Sequence, residues 1–181
     1  MAASYAAWNV NPHGTFAVPA IAADKPAPAD IAADFDPTVR SNFRCFHSVD
    51  LRYNDVDSLG HVTSISFLNC METARVRFVH DAGLAVDARP FGWMLVKLDI
   101  DYLGQLHFPG QVTVGTRLAR VGRSSIITIQ GLFDGERCCA TLKSTIVHVD
   151  RSIDRAAEIP ADLRARLWQI DGTGQPQGES P

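Results

Sequence analysis

No run of apolar residues in this 181-residue chain reaches the roughly 20 that a membrane-spanning helix needs. Nor is there a basic excess: 17 Lys and Arg stand against 20 Asp and Glu, a formal net charge of −3. That balance argues against nucleic acid or an anionic membrane as the main partner, although a local basic patch for a nucleotide phosphate remains open. Cysteines are few (Cys45, Cys70, Cys138 and Cys139) and no Cys-x-x-Cys occurs, so buried reduced thiols are expected rather than a disulfide framework. The six histidines show no HxxxH or HExxH spacing, and no metal site is expected. The first ten residues carry no basic charge and no continuous apolar stretch, so no secretory signal is expected and the chain reads as cytoplasmic.

Prolines are concentrated at the start. Pro12, Pro19, Pro26, Pro28 and Pro37 interrupt an alanine-rich tract at a spacing that breaks helices and strands. Residues 1–41 therefore read as a poorly structured extension, the alternative being an arm docked through Trp8, Phe16 and Val18. Residues 42–170 form the single domain, and the Gly/Pro/Gln-rich residues 171–181 read as a disordered tail.

Within the domain the pattern is strand, helix, then four strands. Residues 43–53 read as a strand with Val49, Leu51 and Tyr53 on one face. Residues 64–82 read as a long helix, because Phe67, Met71, Ala74 and Phe78 recur at 4-3-4 spacing. Thr63 or Ser64 can cap its start, and Gly83 suits its C-terminal cap. Alternation then predicts strands over 94–102, 111–121, 125–133 and 137–149, with a hairpin turn at Asp134-Gly135 and a short helix over 161–168. One long helix and about five antiparallel strands make an α+β domain, most economically a sheet curled around the helix, with edges that invite pairing with a second copy.

Candidate chemistry concentrates in residues 52–62, directly before the helix. Asp55, Asp57, Gly60 and His61 lie within seven residues. A carboxylate can act as base or nucleophile on a polarised carbonyl, and the unpaired N–H groups of a helix start can stabilise an oxyanion. Asp57 is the candidate carboxylate, the other reading being a loop aspartate that caps backbone N–H groups. Asp55 is expected to be structural, and its proximity to raise the pKa of Asp57. Gly60 permits a turn or close ligand approach. His61 either donates to the carbonyl, positions Asp57, or packs to hold the turn. Glu72 and Arg75 are expected to pair along the helix. Cys70 lies in apolar company, and Phe91, Trp93 and Met94 either line an acyl pocket or pack in the core. The short polar turn at Arg123-Ser124, with Arg120, can present donors to an anion.

The order Asp55-x-Asp57-x-x-Gly60-His61-Val62, then Glu72 and Arg75, then the strand around Lys97–Leu103, the turn around Gly122-Arg123-Ser124, and Ile159-Pro160 with Leu163, resembles the hotdog-fold acyl-CoA thioesterases of the 4-hydroxybenzoyl-CoA thioesterase-like branch. The resemblance covers roughly residues 45–167. It implies a hotdog fold, a homodimer or homotetramer with active sites at the subunit interface, and hydrolysis of an acyl-CoA without a cofactor. It further implies Asp57 as catalytic aspartate and the backbone N–H of Ser64 as the carbonyl-polarising amide; beside it, His61 is read as assisting, the Ser64 side chain as a cap, and Gly60, Val62, Thr63, Arg123 and Ser124 as substrate-binding residues, with a solvated turn as the other reading of Arg123 and Ser124. Two departures stand out: Thr63-Ser64 replace a pair of asparagines common among relatives, and the proline turn is altered over residues 104–110. An acyl-carrier-protein thioesterase and a non-catalytic acyl-CoA binder are the alternative readings.

Overall fold

The computed structural model describes residues 35–83 and 90–172. Its elements run β1 (Cys45–Asp50), α1 (Ser64–Asp81), β2 (Phe91–Tyr102), β3 (Gln111–Val121), β4 (Ser125–Asp134), β5 (Arg137–Asp150), β6 (Arg155–Ala156) and α2 (Ala161–Asp171). The main strands form one antiparallel sheet in the order β1-β3-β4-β5-β2, with the two-residue β6 added to β5. Register shifts at Val96 in β2 and Ala119 in β3 bend the strands and help curl the sheet around α1. This is the expected α+β hotdog architecture.

The apolar stripe on α1 is what the sheet wraps. Phe67, Cys70, Met71 and Ala74 pack on Val112, Val114, Leu132, Ala140 and Leu142. One turn further on, Phe78, Val79 and Ala82 pack with Leu118, Val121, Ile126 and Ile146, and α2 closes this end with Leu163 and Leu167. Each large side chain so buried contributes roughly 1.5–3 kcal/mol of transfer free energy. Thr63 caps the start of α1: its Oγ1 accepts from the Ser66 N–H at 3.2 Å. Gly83, at φ +75°, takes the left-handed conformation that ends it. Among the described residues no helix is long and apolar enough to cross a membrane.

Two local expectations are corrected. The first strand stops at Asp50, because β3 begins opposite it at Gln111; the chain then makes a single helical turn at Tyr53–Asp55. Leu51 is buried, but Tyr53 is 76% exposed instead of sharing its face. The β4–β5 turn falls on Gly135-Glu136, between the paired residues Asp134 and Arg137.

The described part of the N-terminal extension lies across the outer face of the sheet. The Phe35 and Phe43 rings meet edge to face at 5.4 Å, Phe43 meets Phe133 at 5.8 Å, and the Arg117 guanidinium sits 4.6 Å over Phe35. Gly115 and Gly131, partners in the β3–β4 register, make this approach possible. A Cβ at Gly115 would lie 2.5 Å from the Phe43 ring, and one at Gly131 2.6 Å from the Pro37 carbonyl oxygen. Trp8, Phe16, Val18 and the tail from residue 173 lie outside the described residues.

Candidate active site

Asp55 is the post on which the site is built. It is 3% exposed. One carboxylate oxygen accepts from the Arg52 N–H at 2.6 Å and from Arg52 Nε at 3.2 Å; the other accepts from Arg52 Nη2 at 2.9 Å and Ser66 Oγ at 3.2 Å. Its own carbonyl accepts from the Thr63 N–H at 2.9 Å. One side chain thus ties the end of the first strand to the first turn of α1. The Arg52 hydrogen bond holds the Asp55 carboxyl below the ordinary aspartate value, against the opposing effect of burial.

Asp57 faces the other way. It is exposed, and its Oδ1 accepts from the Leu59 N–H at 2.8 Å and the His61 N–H at 3.0 Å. Backbone bonds from Asp57 N–H to the His61 carbonyl (2.9 Å) and from Gly60 N–H to the Asp57 carbonyl (3.0 Å) close the turn, which needs Gly60 at φ +79°. The expected rise in the Asp57 pKa is overturned. The His61 N–H, then the Leu59 N–H, lower it, while Asp55 is turned inward onto Arg52. Asp57 is therefore ionised at neutral pH, with one oxygen gripped by the turn.

The turn is braced from outside. Val62 N–H donates to the Leu106 carbonyl at 2.9 Å, and His61 and His107 form an antiparallel bridge with ring centroids 5.2 Å apart. His107 Nδ1 lies 3.2 Å from the Gly60 carbonyl oxygen. On the other flank the Tyr102 hydroxyl donates to the Ser64 carbonyl at 3.2 Å, and its ring meets Phe67 at 5.5 Å. Ser64 is the first residue of α1, so its N–H belongs to the turn that has no intrahelical acceptor. The cap itself is Thr63 rather than the Ser64 side chain: the Thr63 hydroxyl accepts from Ser66 N–H and donates to Ser66 Oγ at 3.0 Å. Around this mouth stand the exposed Tyr53, Leu59, Ile65 and Phe108.

The chain thus brings together Asp57, Gly60, His61, Thr63 and Ser64. The Val62 side chain instead points into the core. Arg123 and Ser124 occupy the turn at the far end of β3, about 35 Å along an eleven-residue strand from the Asp57 end. There Arg123 Nε meets Glu158 at 3.3 Å, and the Ser124 carbonyl accepts from His148 N–H at 2.8 Å. Phe91 and Trp93 are also at that end, their rings 5.2 and 5.1 Å from His148. Burial pushes the Cys70 thiol up to about 11, which leaves it protonated. Among the described residues no three His, Cys, Asp or Glu side chains converge to hold a metal ion. His107 and Tyr102 are the residues a sequence reading passes over. Their role comes from the β2 and 104–110 segments folding back on the turn, and the only signal was the altered composition of that turn.

The same fold recurs in known proteins. Residues 51–167 match the thioesterase-like superfamily. The crystal structure of the PA5185 protein of Pseudomonas aeruginosa PAO1 is 27% identical, with a TM-score of 0.69 over 76% of this chain and 99% of that one. A thioesterase of Thermus thermophilus, solved with coenzyme A and Zn, is 28% identical, with a TM-score of 0.64 over 72% of this chain and 96% of its own. A 1,4-dihydroxy-2-naphthoyl-CoA thioesterase of Synechocystis, 15% identical with a TM-score of 0.61 over 67% and 93%, shares the fold. No curated protein matches the chain. The chain belongs to the thioesterase-like superfamily and is a thioester hydrolase on the hotdog fold.

Proposed function

We propose that the chain hydrolyses acyl-CoA thioesters as a homodimer, with Asp57 as base or nucleophile and the start of α1 as the oxyanion site. The observation that carries this is the Asp57 carboxylate, held by the Leu59 and His61 N–H groups directly ahead of the first turn of α1. A thioester carbonyl seated over the Ser64 N–H would develop negative charge where the helix end favours it. The thiol leaving group needs no Lewis acid, since its pKa is near that of a cysteine, about 8.5. The ionised Asp57 either orients and deprotonates water or attacks directly. The coenzyme A in the Thermus relative supports the carrier.

The dimer is supported by β2. It pairs only with β5 among the described strands, and its twelve residues leave Leu95, Val96, Leu98 and Tyr102 exposed along an open edge. Antiparallel pairing of two β2 strands would set the Phe91 end of one beside the Tyr102 end of the other. Arg123 lies at the Phe91 end, since Ser125 and Met94 both pair with Val147, whereas Ser64 lies at the Tyr102 end. Arg123 and Ser124 would then serve the partner's site, in reach of the coenzyme A phosphates.

The test is thiol release from acetyl- through palmitoyl-CoA, benzoyl-CoA and 4-hydroxybenzoyl-CoA, by wild type and Asp57→Asn. Asn keeps an acceptor for both N–H groups, so the turn is retained while the negative charge is lost. Wild-type release that falls at least a hundredfold in Asp57→Asn is expected. Equal release by a folded Asp57→Asn removes Asp57 from the reaction.

A further inference from the structure

The turn that carries Asp57 stands clear of the core. Leu59 at its tip is 77% exposed, and Asp57 and Gly60 are exposed with it. Its shaping bonds run within it, from the Leu59, Gly60 and His61 N–H groups to Asp57 and from the Asp57 N–H to the His61 carbonyl. Among the described residues, one side chain from outside residues 57–61 hydrogen-bonds to them. It is His107, whose Nδ1 lies 3.2 Å from the Gly60 carbonyl oxygen. A carbonyl oxygen only accepts, so Nδ1 carries the proton and donates. The neutral Nδ1–H tautomer and the imidazolium both present that N–H, so the bond does not depend on the charge of the ring.

The Gly60 carbonyl and the His61 N–H belong to one peptide unit. That unit is planar, with its C=O and N–H pointing in opposite directions. At one end His107 donates to the Gly60 oxygen; at the other the His61 N–H donates to Asp57 Oδ1 at 3.0 Å. Histidine, peptide and carboxylate thus form a single chain of hydrogen bonds, in which each bond polarises the next. Gly60, at φ +79°, is the residue of the turn with the most conformations open to it, so this peptide plane needs holding. The segment that carries His107 is well placed to hold it. Leu103 and Gly104 N–H donate to the Cys139 carbonyl at 2.8 and 3.1 Å, and Leu51 N–H donates to the Gly110 carbonyl at 2.9 Å. Leu106, next to His107, is 2% exposed and packs in the core.

We propose that His107 is a positioning residue for thioester hydrolysis, acting on Asp57 through the Gly60–His61 peptide. This rests on the reading of Asp57 given above. His107 fixes the plane of that peptide, the peptide N–H fixes the Asp57 carboxylate, and the carboxylate stays aimed ahead of the first turn of α1. A misplacement of about 1 Å in a reacting group can cost on the order of a hundredfold in rate, so a side chain that touches no substrate can still be felt in turnover.

The test is steady-state thiol release from the best acyl-CoA substrate by His107→Leu, His107→Ala and His107→Asn, each alone and in the Asp57→Asn background. Leu and Ala remove the donor at two side-chain sizes, whereas the Asn amide nitrogen can take the place of Nδ1. The His61–His107 backbone bridge is present in every variant, and His107 is exposed, so none is expected to unfold the chain. We expect kcat to fall about tenfold in His107→Leu and His107→Ala with KM unchanged, and to return to within about twofold of wild type in His107→Asn. In the Asp57→Asn background the same substitutions are expected to change kcat less than twofold, because the group they position is already gone. Wild-type kcat in His107→Leu and His107→Ala overturns the proposal. So does an equal loss in His107→Asn, a rise in KM in place of the fall in kcat, or a tenfold loss that persists without the Asp57 carboxylate. With Asp57→Asn impaired, any of these results leaves the Asp57 reading standing. Asp57→Asn at the wild-type rate instead removes that reading, and the role of His107 with it.

Discussion

The two N–H groups that aim the Asp57 carboxylate also weaken it as a base. Each favours the charged form, so its pKa lies below the ordinary 3.8. The sign of the pH dependence follows. A depressed carboxylate is active above its folded pKa and is lost only as pH falls through it. The acid limb of kcat/KM, which reports the free enzyme, is therefore expected below pH 3.8. Rates measured from pH 3 to 8 on a good acyl-CoA substrate should be flat from 8 down to 5; a limb centred at 5 or above would show that a different group supplies the base. Asp55 depresses in the same direction, so its share of the stability is present above the unfolded aspartate value and disappears on acidification below it. Part of this was legible in the sequence: two aspartates ahead of a helix start mark the turn, and the order of motifs is what puts Asp57 forward as the proposed base. The expected rise in its pKa failed because residue spacing does not say which way a side chain turns. Here Arg52 draws Asp55 inward, and the coupling between the two carboxylates is lost.

At the scale of the element, α1 has a start that must be both stable and unobstructed. Thr63 meets the first need, since its hydroxyl exchanges hydrogen bonds with Ser66 and leaves the Ser64 N–H to the mouth. Thr63 is thereby accounted for as the capping residue of α1. Asparagine caps as well as threonine, whereas alanine cannot. Thr63→Ala is expected to lower unfolding stability by about 1 kcal/mol, and Thr63→Asn to stay within a few tenths of wild type. Urea titrations at pH 7 check both; an equal loss in the two variants would show that the threonine methyl, rather than its hydroxyl, is what matters. The helix itself and the four long strands were readable because 4-3-4 spacing and alternation are local signals. The early end of β1 was not, since it depends on where β3 begins. Nor was the docking of Phe35–Phe43, which requires Gly115 and Gly131 to fall opposite one another, a fact that exists only once β3 and β4 are in register.

At the scale of the whole molecule, a single chain holds the two halves of the proposed site at opposite ends of one sheet. Asp57 and Ser64 stand at the Tyr102 end of β2, Arg123 and Ser124 at the Phe91 end. If β2 pairs antiparallel with its copy, every site draws Asp57 from one subunit and Arg123 from the other, and the two defects can be separated. Asp57→Asn and Arg123→Glu homodimers should each be impaired, the first by loss of the carboxylate and the second by repulsion of the coenzyme A phosphates. In a mixed dimer one site inherits both substitutions and the other inherits neither. Denaturing the two variants together in equal amounts and refolding them should therefore restore about a quarter of the wild-type rate, since half the dimers are mixed and half their sites intact. A site built within one subunit gives a different result: every site then carries one defect in any mixture, and refolding recovers nothing beyond the sum of the two variants. Sedimentation of each refolded sample distinguishes this outcome from a failure to exchange subunits, and an Arg123→Glu homodimer with wild-type KM would take the β3–β4 turn out of the site altogether.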